Sequence, residues 1–193
     1  MSTTTEQASH LYQAERTIRE NRKAYFEAND FGDGGYEEKW VTLKKLGPIK
    51  LGFPNSPARV RAVRLHDIHH VALGYGTDWT GEAEIGAFEL GAGCGKYYAA
   101  WILNGGALLY GVWIAPRAVF RAFVRGRRAE SLYGGEWQES LLDENTGALR
   151  KKLKVDGGPK AATVIDALAF AGLLALAAAL ALWPLIALLA LFR

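Results

Sequence analysis

The sequence reads as a mostly α protein, a helical bundle domain carrying a C-terminal transmembrane helix. Three observations lead to this. Twenty-six consecutive positions from Ala167 to Phe192 carry no charge, and a bilayer core of ~30 Å needs about 20 helical residues. Helix-start and helix-stop residues punctuate the chain before that run, with Ser56-Pro57 opening one stretch and Gly74 and Gly76 closing it. Apolar residues recur at helical rather than alternating spacing through several of these stretches.

The length of 193 residues suits one compact domain plus an appendage. With half the residues hydrophobic, the chain is not a disordered one. A single cysteine excludes an internal disulfide framework and any zinc site needing two thiolates from one chain. The net charge of +3 permits an anionic membrane surface or a phosphate as partner and gives no argument for nucleic acid.

From the N-terminus, residues 1–30 read as a helical segment, with an amphipathic helix from about Thr5 to Asn29. Leu11, Ile18 and Tyr25 fall at heptad spacing, and Asp30, Gly32, Gly34 and Gly35 end it. No apolar core of a signal peptide precedes it. Residues 31–155 form the main domain. Its first part, Trp40 to Phe53, is suited to a small hairpin around Gly47-Pro48. A helix then starts at Ser56-Pro57 and runs to about Leu73. A second starts near Asp78 or Thr80 and runs to about Leu90, closed by Gly91, Gly93 and Gly95.

Tyr97 to Ala115 is apolar but broken by Asn104-Gly105-Gly106. It is read as a buried bundle helix or one lining a lipid groove, with a second membrane span as the alternative. After Pro116, the side chains Arg117, Arg121, Arg125 and Arg128 share one helix face, opposite Val119, Phe120, Phe123 and Val124. Such a face lies on anionic lipid or is solvated, and phosphate recognition is a third option. A polar segment and a short helix finish the domain. Residues 156–160, with Gly157, Gly158 and Pro159, are the hinge, and residues 161–193 are the membrane anchor. Arg150, Lys151, Lys152, Lys154 and Lys160 precede the anchor and only Arg193 follows it. The main domain is therefore expected on the cytoplasmic face, as in a tail-anchored protein.

The chemistry-bearing cluster is His66-Asp67-Ile68-His69-His70. His66 and His70 stand four apart, so on a helix they point the same way and can grip one metal ion. An antiparallel helix pair would bring Glu82 back toward them. Asp67 is near enough to be a fourth ligand or an acceptor for an imidazole N–H. The candidate metal ligands are thus His66, Asp67, His70 and Glu82, with Asp67 and Glu82 as candidate catalytic carboxylates. His69 and Glu89 are reserves, Glu89 lying two turns along from Glu82. Two histidines with carboxylates suit zinc first, and iron or manganese as well. The competing reading is a hydrogen-bonded core cluster.

The string His66-Asp67-x-x-His70, eleven residues, then Glu82 resembles the hallmark of the ubiquinone-biosynthesis family called coenzyme Q protein four (Coq-four). The likeness extends to Gly74-Tyr75, Gly81-Glu82, Gly126-Arg127-Arg128-Ala129-Glu130, Glu136-Trp137-Gln138-Glu139 and Leu149-Arg150-Lys151-Lys152-Leu153. It covers roughly residues 31–155, with the hydrophobic tail outside it. The resemblance implies an all-helical domain with an apolar channel for a polyprenyl chain. It implies peripheral membrane association and assembly with other quinone-biosynthesis proteins. It also implies a metal-dependent oxidative decarboxylation at C1 of a polyprenylated benzoquinone precursor, in the bacterial inner membrane for a chain of this kind.

On that reading the isoprenoid tail lies against aromatics among Tyr97, Tyr98, Trp101, Tyr110 and Trp113. The partners are then a prenylated quinone intermediate, membrane lipid and other quinone-biosynthesis proteins, with self-association left open. A non-catalytic prenyl-lipid-binding scaffold is the alternative. A zinc hydrolase of the His-Glu-x-x-His type is disfavoured, because Asp67 stands where that motif needs its longer general-base glutamate.

Overall fold

The computed structural model describes residues 13–46, 49–157 and 161–191. The fold is mostly helical, as expected. In chain order it comprises α1 (Ile18–Ala28), β1 (Trp40–Leu46), β2 (Ile49–Pro54), α2 (Pro57–Leu73), α3 (Trp79–Ala92), α4 (Tyr98–Ile114), α5 (Pro116–Gly126), α6 (Thr146–Lys152) and α7 (Val164–Leu191). Two single turns of 3-10 helix, Leu132–Gly134 and Glu139–Asp143, lie between α5 and α6.

The first helix starts later than its periodicity implied. Residues 13–16 form a turn, and the part of the expected helix before Gln13 lies outside the described residues. The cause is a capping box. The Thr17 side chain accepts the Glu20 N–H, and the Glu20 carboxylate accepts the Thr17 N–H at 2.9 Å. The turn before it pairs with the segment leading into α6. The Ile18 N–H donates to the Glu144 carbonyl, and the Thr146 N–H to the Arg16 carbonyl.

The expected hairpin is present. β1 and β2 pair antiparallel, Val41 opposite Phe53, with an irregular register between Thr42 and Lys44. Its Gly47-Pro48 turn lies outside the described residues. The two central helices begin and end where their caps dictate. Ser56 caps α2, Gly74 ends it at φ +74°, and Asp78 caps α3.

α3 is the hub of the bundle, crossing both α4 and α5. Its crossing with α5 is close because glycines face each other's backbones. A Cβ on Gly126 would meet the Phe88 carbonyl at 2.0 Å, and one on Gly91 the Phe123 carbonyl at 2.3 Å. The core between the helices is Leu65, Ile68, Ile85, Phe88, Leu108, Val119, Phe123 and Tyr133, closed beneath by Leu142 and Leu149.

α7 is one helix, and its segment Val164–Trp183 is long and apolar enough to cross a membrane. Its first turn is capped by Thr163, whose hydroxyl and N–H both bond to Asp166. Phe170 packs edge-on against Phe120 and Phe123, each at 5.2 Å between ring centres. Of the hinge, Gly158, Pro159 and Lys160 lie outside the described residues, as do Phe192 and Arg193.

The arginine stripe is divided in its use. α5 ends at Gly126, so Arg128 lies beyond it. Arg127 and Arg128 grip the buried Asp166 at 2.8 and 2.7 Å. Arg125 reaches the Val155 carbonyl and lies over the Tyr75 ring. Only Arg117 and Arg121 of the expected stripe are exposed.

Candidate metal centre

α2 carries His66 and His70 on successive turns, and α3 brings Glu82 in its first turn. The link between them is short, and Gly81 is what lets it close. A Cβ at Gly81 would stand 2.1 Å from the Gly76 carbonyl oxygen. Glu82 is thereby returned to the two histidines, as the eleven-residue spacing required.

The three donors converge. His66 Nε2 and His70 Nε2 are 3.1 Å apart, and the Glu82 carboxylate oxygens lie 3.5 and 3.3 Å from them. Ligands held 2.0–2.1 Å from a tetrahedral zinc stand roughly 3.3 Å from one another. The observed spacings match that.

The opposite ring nitrogens fix which atoms face inward. His66 Nδ1 is 3.0 Å from the Glu89 carboxylate, and His70 Nδ1 is 3.0 Å from the Tyr75 carbonyl. Both partners only accept, so both Nδ1 atoms carry hydrogen. Two imidazole lone pairs and a carboxylate therefore face a common point, and such a cluster calls for a proton or a cation between its members. The electrostatics agree. Burial opposes charge on His66, but Glu89 and Glu82 outweigh it and hold its pKa well above the ordinary value. Burial would raise Glu82, but its bonds to His66 and His70 hold it well below the carboxylate range.

Asp67 is not one of the converging three. It follows His66 by one residue, about 100° round the helix. Its carboxylate accepts the Tyr36 hydroxyl at 2.5 Å. Burial raises its pKa, partly offset by His66 and by that bond. Of the four expected ligands, the structure thus brings together His66, His70 and Glu82 and leaves Asp67 tied to Tyr36 beside them.

The reserve residues have a different place. Glu89 is fully buried, with one oxygen held by His66 and His69 Nδ1 and the other by Asn104 and the Tyr133 hydroxyl. Burial would raise its pKa, but the two histidines hold it well below the usual range. His69 accepts the Leu132 N–H through Nε2, so it is committed to structure at both nitrogens. Glu89 holds His66 from behind, as an orienting carboxylate does for a metal-ligating histidine. Its spacing from Glu82 was the visible signal, whereas Asn104 and Tyr133 gave none.

Beside the three donors lies a cleft of about 1010 Å³. His66, Asp67 and Glu82 form part of its wall. The rest of the wall mixes aromatic and aliphatic side chains, among them Trp40 and Phe53 from the hairpin, Trp79 from α3, and Leu103 and Tyr110 from α4, with the charged Asp30, Glu38, Arg59 and Asp78. Of the aromatics expected along a lipid tail, Tyr110 lines this cleft. Tyr97 is buried, with its hydroxyl on the Gly135 carbonyl, and Tyr98, Trp101 and Trp113 face outward. The helical phase explains this, because α4 turns Ala100, Asn104, Leu108 and Gly111 to the core.

The arrangement could hold one divalent ion with three protein ligands, the number found in catalytic rather than closed structural sites. Set against models of known protein families, curated proteins and solved structures, the chain matched none.

Proposed function

We propose that this protein belongs with the Coq-four proteins and acts in ubiquinone biosynthesis, on a metal-dependent step. The step is oxidative decarboxylation at C1 of a polyprenylated benzoquinone precursor: the C1–carboxylate bond breaks with release of carbon dioxide, water supplies the new C1 hydroxyl, and dioxygen, as a co-substrate the chain does not itself hold, takes the two electrons and two protons to become hydrogen peroxide. The observation that supports the reading is the convergence of His66, His70 and Glu82, spaced as in the family hallmark, beside a cleft whose wall includes His66 and Glu82 and many aromatic and aliphatic side chains. A divalent ion, zinc first among zinc, iron and manganese, would be held by these three. When bound, it supplies a Lewis acid for the substrate's carboxylate or a ring oxygen.

The chain's own residues do the rest. Glu89 and the Tyr75 carbonyl fix both imidazoles with Nε2 turned toward Glu82, where they would hold the ion. Asp67, held by Tyr36, is a carboxyl group within reach of a ring bound in the cleft, and it becomes a fourth ligand only by releasing that hydroxyl. The isoprenoid chain lies along Trp79, Leu103 and Tyr110. α7 holds the domain at the membrane where such a substrate resides. The basic residues before it support a reading with the domain on the cytoplasmic side of a bacterial inner membrane, in company with other quinone-biosynthesis proteins.

The test has two parts. Purified full-length protein should carry one divalent ion per chain, and His66→Ala should carry none. In cells depending on this chain for quinone, Glu82→Gln should abolish output. Normal output with altered partner assembly would favour the scaffold role, and equal metal in both proteins would remove the site.

A further inference from the structure

The contact between α7 and α4 fixes how deep α4 must lie. The charge-free run within α7, Ala167 to Leu191, covers 25 positions, and a bilayer takes up about 20 of them. Every such window, from 167–186 to 172–191, contains Ala177. Ala177 is where α4 meets α7, for a Cβ on Gly105 would touch the Ala177 Cβ at 3.8 Å. Wherever α7 sits across the bilayer, the middle of α4 is at hydrocarbon depth.

The surface of α4 agrees with that depth. No residue from Tyr97 to Ala115 is charged. Ile102 is 69% exposed and Trp113 89%, although both are apolar. In water such a patch is a liability, whereas acyl chains cover it without cost to any polar group. The charged residues that follow, Arg117 and Arg121, are exposed and suited to anionic headgroups.

The same helix borders the metal cleft. Round the α4 axis, at about 100° per residue, Gly105 faces α7, Ile102 and Trp113 occupy the open face, and Leu103, Ala107 and Tyr110 face the cleft. Leu103 is both exposed and part of the cleft wall, so it stands at the mouth. The apolar surface is continuous from α7 to that mouth.

We propose that α4 is embedded in the bilayer beside α7, and that the metal cleft opens sideways into lipid, so that a prenylated substrate enters from the hydrocarbon without crossing water. The proposal rests on α7 being the membrane span.

The experiment uses full-length protein in phosphatidylcholine–phosphatidylglycerol vesicles, with acyl-brominated phosphatidylcholine as quencher. Cys94, the chain's single cysteine, is buried, so a thiol-reactive bimane reports only introduced cysteines. Ile102→Cys and Trp113→Cys probe α4, Leu180→Cys probes α7, and Lys23→Cys on α1 is the aqueous control. We expect loss of emission at Ile102→Cys and Trp113→Cys as strong as at Leu180→Cys, and none at Lys23→Cys. Quenching at Leu180→Cys alone overturns the proposal and leaves the anchor standing. Quenching at none of the three removes the anchor and the proposal together. Disulfide-linked dimers through Ile102→Cys without quenching assign the face to a second copy and overturn it as well. Metal content is read separately on the same preparations, so loss of the metal reading leaves this result interpretable.

Discussion

One oxygen of the buried Glu89 carboxylate lies 3.0 Å from Nδ1 of His66, on the side of the ring opposite the one that faces Glu82. That contact sets the tautomer of His66, makes its Nε2 more basic and fixes the ring plane. The same oxygen takes His69 Nδ1 at 2.7 Å, so one carboxylate organises both histidines. Glu89→Gln preserves the shape and removes the charge. Metal affinity should fall about 10- to 100-fold, as measured by chelator competition. Unchanged affinity would show that Glu89 has no part in holding the ligand.

Removing Glu89 altogether should do more. Glu89→Ala takes the acceptor from His66 and His69 and leaves Asn104 only the Cys94 sulfur and Tyr133 only the Ala62 carbonyl. Breaking a buried charged pair costs about 3–5 kcal/mol, so urea unfolding of the metal-free protein should shift by an amount of that order. A shift no larger than that of a surface mutation would mean that the network contributes little.

Tyr36 and Asp67 decide between three and four protein ligands. Tyr36→Phe removes the hydroxyl from Asp67 and, as a bond to a charged group, should cost about 1.5–3 kcal/mol. With three ligands, Asp67→Asn and Tyr36→Phe each retain one metal ion per chain, while His70→Ala and Glu82→Gln lose it. Metal loss in Asp67→Asn, measured by plasma emission on the folded variant, would make Asp67 a ligand.

The alkaline limb of stability should be steep. Burial pushes the Cys94 thiol up to about 12. Burial also raises Tyr36 and Tyr133, helped by Asp67 and Glu89. In the unfolded chain these groups lose protons from their ordinary values of 9.0 for cysteine and 10.0 for tyrosine. The unfolded state then binds fewer protons than the folded one, so stability falls as pH rises from about 9 to 12. Urea midpoints taken across that range should decline, and Cys94→Ser should flatten the decline. A midpoint constant to pH 11 would contradict the burial of these groups.

The sequence carried the local part of this site and missed the part assembled by distant contacts. His66 and His70 were legible because a helix puts residues four apart on one face. Glu82 was legible because Ser56-Pro57, Gly74 and Asp78 mark where two antiparallel helices start and stop. Asn104 looked like a polar break in an apolar helix, yet it points inward and bonds Glu89, 15 residues earlier in the chain. Tyr133 reaches the same carboxylate across 44 residues, and no periodicity reports such a distance. Heptad spacing through Leu11 and Ile18 hid the start of α1, because the Thr17–Glu20 capping box outweighs propensity there. The arginine stripe reads as a face for anionic lipid or for solvent. Arg128 instead turns toward Asp166, 38 residues away, beyond the reach of any helical pattern.

That last pairing carries a prediction of its own. Asp166 is the one acidic residue at the foot of α7. It is held by Arg127, Arg128 and the Thr163 cap together. Without it, α7 keeps its Phe170 contacts with α5 and its Gly105 contact with α4 but loses the ionic clasp that sets its angle of departure. Asp166→Ala should therefore leave membrane insertion intact while loosening the first turn of α7 from the domain. Limited trypsin digestion in vesicles should then cut faster after Arg127 and Arg128, which the carboxylate otherwise holds in place. Arg127→Ala and Arg128→Ala, each leaving one arginine on Asp166, should loosen the turn to a lesser degree, read as faster cutting after the arginine that remains. Equal digestion of Asp166→Ala and the unaltered protein would show that the aromatic packing alone fixes the helix.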